Sequence, residues 1–419
     1  MHEPYFALLN ESGLWRGQRA DTHFFHLSPD VYPVCRDQQA LLVKLGAAIP
    51  VVFAAMSQLI TEADQKRSEQ RWNPFLYAAQ KGIPRPFYPL QVMQPDSIPQ
   101  LCKVDLMEDE HNQYRIAEID GTNERGMGYS TLTAKLRKLS QPDATTFPGC
   151  ARLLAELVRS RDKQSLILLY PEQERFYRPE FEVLQSALAE QGVQLDLVIE
   201  GDYLGLENAL QQQGATALFM HLGHMYRDEL MFWLLSRAYE EGDVEFLIPP
   251  KLWTSSKAVL ALLRNDIGNP FVEQKLGETI TKWALSLMRD LIPETYLVES
   301  TPEFLRLFPK GKPVEGFVLK ACYASGMKGT IFTDDPRFPK AFDEALRTNG
   351  NYVLQRVVTN AAKQYRFFDR DKNLQEATWY QRVVTHFNRG HVADVTVTGR
   401  QDKCVHGAPD CIQIGAVCL

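Results

Sequence analysis

Two rhythms of apolar residues run along this chain and divide it into stretches. Over residues 37–59 the apolar positions recur at helical spacing, and a second amphipathic helix is predicted over 62–71. The segment Pro84-Arg-Pro-Phe-Tyr-Pro-Leu90 follows. Each of its prolines disfavours helix at the residue before it, so it is expected to be extended. From Cys102 the period drops to two. Val104 and Leu106 alternate with Lys103 and Asp105, and Ile116, Ala117 and Ile119 surround Glu118 and Asp120. Two short strands joined by a polar turn, Glu108 to Gln113, are predicted, then a loop carrying Gly126 and Gly128. Helices are expected at 130–139 and 150–161.

From residue 164 apolar runs and helical stretches alternate. Ser165-Leu-Ile-Leu-Leu-Tyr170 is continuous and apolar. Strands at 193–199, 215–221 and 245–248 are separated by helices at 178–191, 204–213 and 227–241. Such alternation predicts a small parallel α/β unit with right-handed crossovers. It contains no GxGxxG turn, so a dinucleotide site is not expected there. Beyond it, a helix starting near Lys257 and helices at 281–291 and 302–308 precede a second informative stretch. In Gly316-Phe-Val-Leu-Lys320 through Phe332, two strands flank the small-residue loop Ala324-Ser-Gly-Met-Lys-Gly329. A helix at 339–348, a strand at 352–358 and strands at 377–385, 391–398 and 411–417 complete the reading.

At 419 residues the chain exceeds one ordinary core, so subdomains are expected: 1–160, the α/β unit 161–250, and 251–419. Hydrophobic content of 45% and charged content of 23% suit a globular enzyme. A net charge of −6 without long runs argues against a nucleic-acid footprint. Neither an apolar run of membrane length nor a signal peptide is expected. The seven cysteines are scattered, which suits a reducing cytoplasm.

Charge patterning then adds chemistry. Period-two alternation puts Glu118 and Asp120 on one strand face, and Asp105 can lie opposite them if the strands form a hairpin. Three carboxylates on one face repel unless a cation neutralises them, and oxygen-only donors favour a hard ion such as Mg²⁺. A solvated acidic hairpin fits the same residues. Ser255 or Ser256 can cap the helix that carries Lys257 in its first turn, where a cation opposes the helix dipole unless an anion sits nearby. Lys320 closes a strand, where burial without an anion is costly. The glycines and Lys328 of the following loop allow close approach to phosphate. His221-x-x-His224, and Cys404 with His406 and Cys411, match no metal pattern well.

Taken together, these pieces resemble the circularly permuted branch of the ATP-grasp superfamily, to which the synthetase domain of glutathionylspermidine synthase belongs. The order Asp105, Glu118-x-Asp120, Lys257, Lys320 with its loop, and Gln355 is that branch's order. The similarity covers roughly 75–135 and 245–419. The α/β unit between them carries no shared motif, but its pattern resembles the Rossmann-like lobe that accompanies such folds. The resemblance implies a permuted ATP-grasp fold of the α/β (α+β) class. It implies Mg²⁺ on Asp105, Glu118 and Asp120, and ATP phosphates on Lys257 and Lys320. Ser325, Gly326 and Lys328 would close over the terminal phosphate, and Gln355 and the backbone near Val357 would meet adenine. Asp120 and Ser256 stand where the family usually has Asn, and Lys103 where it often has Arg. Arg125 and Arg400 are candidate anion contacts for substrate, Arg400 with an equal claim to a plain salt bridge. The implied activity is ATP- and Mg²⁺-dependent joining of a small carboxylate to an amine through an acyl phosphate. Phosphotransfer on the same scaffold, or nucleotide binding without turnover, are the alternatives. No amidase half accompanies these motifs, so glutathionylspermidine synthesis itself is not implied.

Overall fold

A computed structural model describes residues 3–12, 25–122, 125–213, 216–222, 228–312, 314–324, 329–360, 362–369, 371, 373–406 and 410–419. The chain is a mixed α/β protein whose strands form three sheets. It begins the first sheet with β1 (His26–Val34), β2 (Leu101–Glu108) and β3 (Tyr114–Asp120). It then builds the parallel unit from β4 (Ser165–Tyr170), β5 (Gln194–Ile199), β6 (Ala217–His221) and β7 (Val244–Ile248). A small antiparallel sheet follows, made of β8 (Thr295–Leu297), β9 (Phe317–Ala321), β10 (Thr330–Phe332) and β11 (Tyr352–Arg356). Finally β12 (Lys363–Phe368), β13 (Leu374–Asn388), β14 (His391–Arg400) and β15 (Ile412–Cys418) return to the first sheet. Its order is β1-β15-β14-β13-β2-β3, with β12 beside β13. The stretch 251–419 is therefore shared between two sheets, and its last strands complete one begun by residues 26–120.

One face of the large sheet is apolar. Val104, Leu106, Val383, Val395, Val397, Ile412 and Ile414 are buried in a core shared with the helix Arg36–Gln65. That helix is a single 30-residue element where two helices were expected, because nothing between 59 and 62 interrupts it. Its interior Pro50 cannot donate to the Gly46 carbonyl. The β13–β14 turn packs on that spot: a Cβ on Gly46 would lie 2.0 Å from the Gly390 carbonyl oxygen. The helix also corrects the expectation about apolar runs. It holds an 18-residue window of mean hydropathy 2.0, long and apolar enough to cross a membrane, yet it serves here as a core helix.

The segment 84–90 is a second correction. It forms two short 3₁₀ turns, Arg85–Phe87 and Pro89–Gln91, because each turn places a proline in its first positions, where a missing N–H costs nothing. The helix Glu3–Ser12 and strands β1, β8 and β12 were not anticipated. The carboxylate hairpin and the parallel pairing within the α/β unit agree with expectation, and the structure adds the strand order β5-β4-β6-β7.

Candidate active site

The second face of the large sheet is polar, and strand register sets it out row by row. Asp105 pairs with Glu118 and Lys103 with Asp120 across β2 and β3. On the other side of β2, Val384 lies opposite Asp105 and His386 opposite Lys103. The row continues through Arg382 to Thr398 on β14 and Gln413 on β15. Directly opposed residues of antiparallel strands share a face. The predicted carboxylates thus stand on a floor completed by strands more than 260 residues further along the chain.

The small antiparallel sheet presents a matching face. Val318 pairs with Gln355 and Phe332, Lys320 pairs with Thr330, and Gln355 pairs with Thr295. Its reverse face buries Phe317, Leu319 and Leu354 against Phe338 and Phe342 of the helix Phe338–Thr348. The two polar faces enclose a cleft of about 440 Å³. Met107, Val318, Phe332, Val357 and Val358 give it an apolar slot. Among the described residues, Lys103, Arg125, Lys257, Lys320, Arg356, Arg382 and Lys403 line it against Asp105, Glu118, Asp120 and Glu180. Seven cations against four carboxylates make the cleft basic in a chain of net charge −6.

Each predicted carboxylate meets a protein donor. Arg382 donates to Asp105 Oδ2 at 2.7 Å, and Lys257 Nζ donates to Glu118 Oε1 at 2.8 Å. Asp120 Oδ1 accepts from Ser255 Oγ at 2.5 Å and from the Thr122 amide at 3.2 Å, with Lys103 Nζ 3.7 Å from Oδ2. Asp105 Oδ1 is buried and has no hydrogen-bond partner. No three His, Cys, Asp or Glu are grouped to hold a metal ion among the described residues. His224 lies outside those residues. The donor chemistry fits a hard cation, with Asp105, which carries an orphaned carboxylate oxygen, paired opposite Glu118 across the hairpin, although protein cations neutralise the carboxylates in this arrangement.

The two predicted lysines converge on β3 from separate elements. Ser256 caps the helix Lys257–Arg264 through the Ala258 amide, while Ser255 goes to Asp120. The Lys257 amide donates to the Cys322 carbonyl at 2.8 Å, which ties the helix start to the end of β9. Its ammonium reaches Glu118 and the Ala324 carbonyl, so Glu118 supplies the anion that the helix dipole lacks. Lys320 Nζ donates to Gln355 Oε1 at 2.6 Å and to the Ala117 carbonyl at 3.2 Å. Burial first, and then the Lys257 charge, push its pKa down to about 8. Burial alone would pull Lys103 down, but Asp105 and Asp120 together hold it above its ordinary value. Burial, with Lys103 nearby, pushes His386 down to about 3, so it is neutral beside Lys103.

Gln355 and Val357 stand in the cleft wall with prior commitments. Gln355 holds Lys320 and donates to Thr295 Oγ1 at 3.3 Å, and the Val357 amide donates to the Gly316 carbonyl at 2.9 Å. Ser325, Gly326 and Lys328 lie outside the described residues. Arg125 lines the cleft, 3.4 Å from Glu174 Oε1 and stacked 5.2 Å from the Tyr177 ring centre. Arg400 does not line it. Its guanidinium donates to both Asp410 oxygens at 3.0 Å and to the Cys404 carbonyl at 3.1 Å, fixing the loop that carries Lys403 and His406. The Gly126–Gly128 pair admits a protein side chain rather than leaving open space. Both amides donate to Glu180 Oε1, and a Cβ on Gly128 would sit 2.1 Å from the Glu180 carbonyl oxygen. Sequence reasoning missed Arg382, Glu180 and Tyr177. The only signal for Arg382 was an arginine at a period-two position in a predicted strand.

Comparison with known proteins adds little. No family model matches the chain, and no curated protein matches it. A solved structure named "Putative gamma-glutamylcysteine synthetase", from Methylobacillus flagellatus KT, aligns with 87% of this chain and 88% of its own. Identity is 12% and the TM-score 0.35.

Proposed function

We propose that the cleft binds ATP with Mg²⁺ and that the protein is an ATP-dependent enzyme of permuted ATP-grasp type. Its particular reaction, in this reading, is the joining of a carboxylate to an amine, a carbon–nitrogen ligation. One observation carries the proposal. Lys257 from a helix start and Lys320 from a strand both rest on β3, beside Asp105 and Glu118, at the edge of an apolar slot.

Asp105, Glu118 and Asp120 would hold the metal, and Lys257 and Lys320 the phosphates. Val318, Phe332, Met107 and the 357–358 edge offer a slot for a flat ring. Bound there, ATP supplies the phosphoryl group and Mg²⁺ the charge that offsets its phosphates. Lys257 would then have a stronger anion than Glu118 to meet, which would leave that carboxylate to the cation. Arg382 stands over Asp105, where it can neutralise oxyanion charge on the acyl group. A substrate carboxylate oxygen accepts the terminal phosphoryl group as ADP leaves. The amine nitrogen then attacks the acyl carbon, the bond to phosphate breaks, and the amine gives up a proton. Such chemistry needs positioning and charge more than a protein nucleophile.

The test is thermal stabilisation by ATP with Mg²⁺, by each alone and by NAD, followed by ADP release across acids with and without amines. Stabilisation needing both ATP and Mg²⁺, with ADP and phosphate released only when acid and amine are both present, is the expected result. A phosphorylated product that persists identifies a phosphotransferase, and binding without ADP formation a regulator. No stabilisation at millimolar nucleotide overturns the nucleotide site itself.

A further inference from the structure

The parallel unit turns its own ligand-binding edge toward one end of the cleft. Its order β5-β4-β6-β7 reverses between β4 and β6, and in open α/β sheets ligands sit outside the carboxyl ends of the strands at such a reversal. The chain leaving β4 passes through Glu174 and Tyr177 and enters the helix Arg178–Ala189 with Glu180. Tyr177 and Glu180 line the cleft, and both meet the loop after β3.

Two fixed charges of opposite sign result. The Arg125 guanidinium is oriented by the Tyr177 ring and hydroxyl and by Glu174. The Glu180 carboxylate is only 1% exposed and is clamped at the start of the helix Met127–Ser140 by the Gly126 and Gly128 amides, an end that stabilises a negative charge. Beside them Phe25 and Tyr129 form an edge-to-face aromatic wall with rings 4.5 Å apart. A rigid cation and a rigid anion side by side at an apolar wall match a zwitterion better than a simple acid or a polyamine. The Glu180 carboxylate favours a cationic group on a ligand in this end of the cleft, and the Arg125 guanidinium an anionic one.

We infer that the parallel unit supplies a subsite for the α-amino acid end of a substrate, with Arg125 taking its carboxylate and Glu180 its ammonium group. This rests on the ligase reading and deepens it. An α-carboxylate and α-ammonium held in this way do not react. The group activated in the nucleotide half of the cleft is then a second carboxylate, on the side chain or at the far end of a peptide.

Titration calorimetry of the full chain with Mg²⁺ and a non-hydrolysable ATP analogue tests this. The probes are L-glutamate and L-aspartate, their N-acetyl and α-amide derivatives, and glutarate. Free amino acids are expected to bind at least tenfold more tightly than either blocked form, and Arg125→Gln to erase the difference between free acid and α-amide. Equal binding of free and blocked forms, or no amino acid binding while the nucleotide analogue still binds, overturns the subsite alone. Failure of the analogue to bind overturns the ligase reading, and the subsite with it. The wild-type ligand series decides the matter even if Arg125→Gln does not fold.

Discussion

If the cleft takes ATP as proposed, Lys320 makes that binding depend on pH in a calculable way. Its ordinary value of 10.5 is pushed down to about 8 by burial and by Lys257. A shift of that size corresponds to at most about 3–4 kcal/mol of penalty on the charged form; the ammonium faces the cleft, so the true figure is smaller. Nucleotide phosphates favour the charged form and restore the pKa. Below pH 8 the lysine is already protonated and affinity is level. Above pH 8 binding must take up a proton, so affinity falls by up to tenfold per pH unit toward 10.5. The nucleotide's own terminal phosphate titrates near 6, outside this window. Calorimetry of ATP with Mg²⁺ at pH 7.5 and about pH 9, in buffers of different ionisation enthalpy, is expected to show a roughly tenfold loss and uptake of nearly one proton. Lys320→Arg, which cannot lose its charge, should be level across the range. Lys320→Ala should bind about 2–3 kcal/mol more weakly at pH 7.5 and be level too. Level wild-type affinity from about pH 7.5 to 9.5, or an unchanged slope in Lys320→Ala, would refute the reasoning.

Folding stability carries a related signature. Lys320 and the fully buried Lys251, which burial pushes to about 8, both keep a proton to higher pH when unfolded. The unfolded chain then binds more protons between pH 8 and 10.5, and stability should rise with pH there; a denaturation series showing a fall attributable to neither lysine's replacement would count against it. Lys251 donates to Ser57 Oγ and to the carbonyls of Gln94 and Pro95, away from the cleft, so Lys251→Met should leave nucleotide affinity intact. Glu118→Gln is expected to keep the fold, since Glu118 is partly open to the cleft, and to lower Mg²⁺-dependent ADP release by at least about a hundredfold. Full activity in that variant would remove Glu118 from the metal site. Arg382→Met leaves buried Asp105 without its cation and should cost about 2 kcal/mol. Mg²⁺ alone should then raise the melting temperature of this variant more than that of the wild type; equal responses would argue against a cation at Asp105. Gly46→Ala drives a methyl into the Gly390 carbonyl and should destabilise by about 1–3 kcal/mol despite better helix propensity, as read from denaturant midpoints.

What the sequence reveals follows the range of the interactions involved. The hairpin was legible because a short polar turn joins two alternating strands, but the Asp105–Glu118 pairing itself depends on a break in register between Asp105 and Leu106, without which Asp105 would face Ala117. Lys257 and Lys320 were legible because each sits at the end of a recognisable element. Arg382 was not, because its partnership with Asp105 spans 277 residues and depends on which strand lies beside β2. Glu180 stands in the first turn of a helix, where acids are ordinary, and only the Gly126 and Gly128 amides reveal its place. Strand β1 was hidden by Pro29 and Pro33, which lower strand propensity but are tolerated at a sheet edge. The prolines of 84–90 misled for the converse reason, since a rule about helix interiors does not govern the first positions of a 3₁₀ turn.

The closing of the large sheet has a consequence for synthesis. β1 pairs in parallel with β15, so a strand made among the first residues must wait for one made some 380 residues later. At about 5–20 residues per second the delay is roughly twenty to eighty seconds. Throughout it β1 is an open edge, the kind of surface on which nascent chains pair wrongly with one another. Pro29 and Pro33 lack the donors such pairing needs, and a break in register between Leu27 and Val31 keeps the strand from lying flat. The irregularities that hid β1 from pattern reading would therefore also guard the unfinished chain against aggregation on the ribosome.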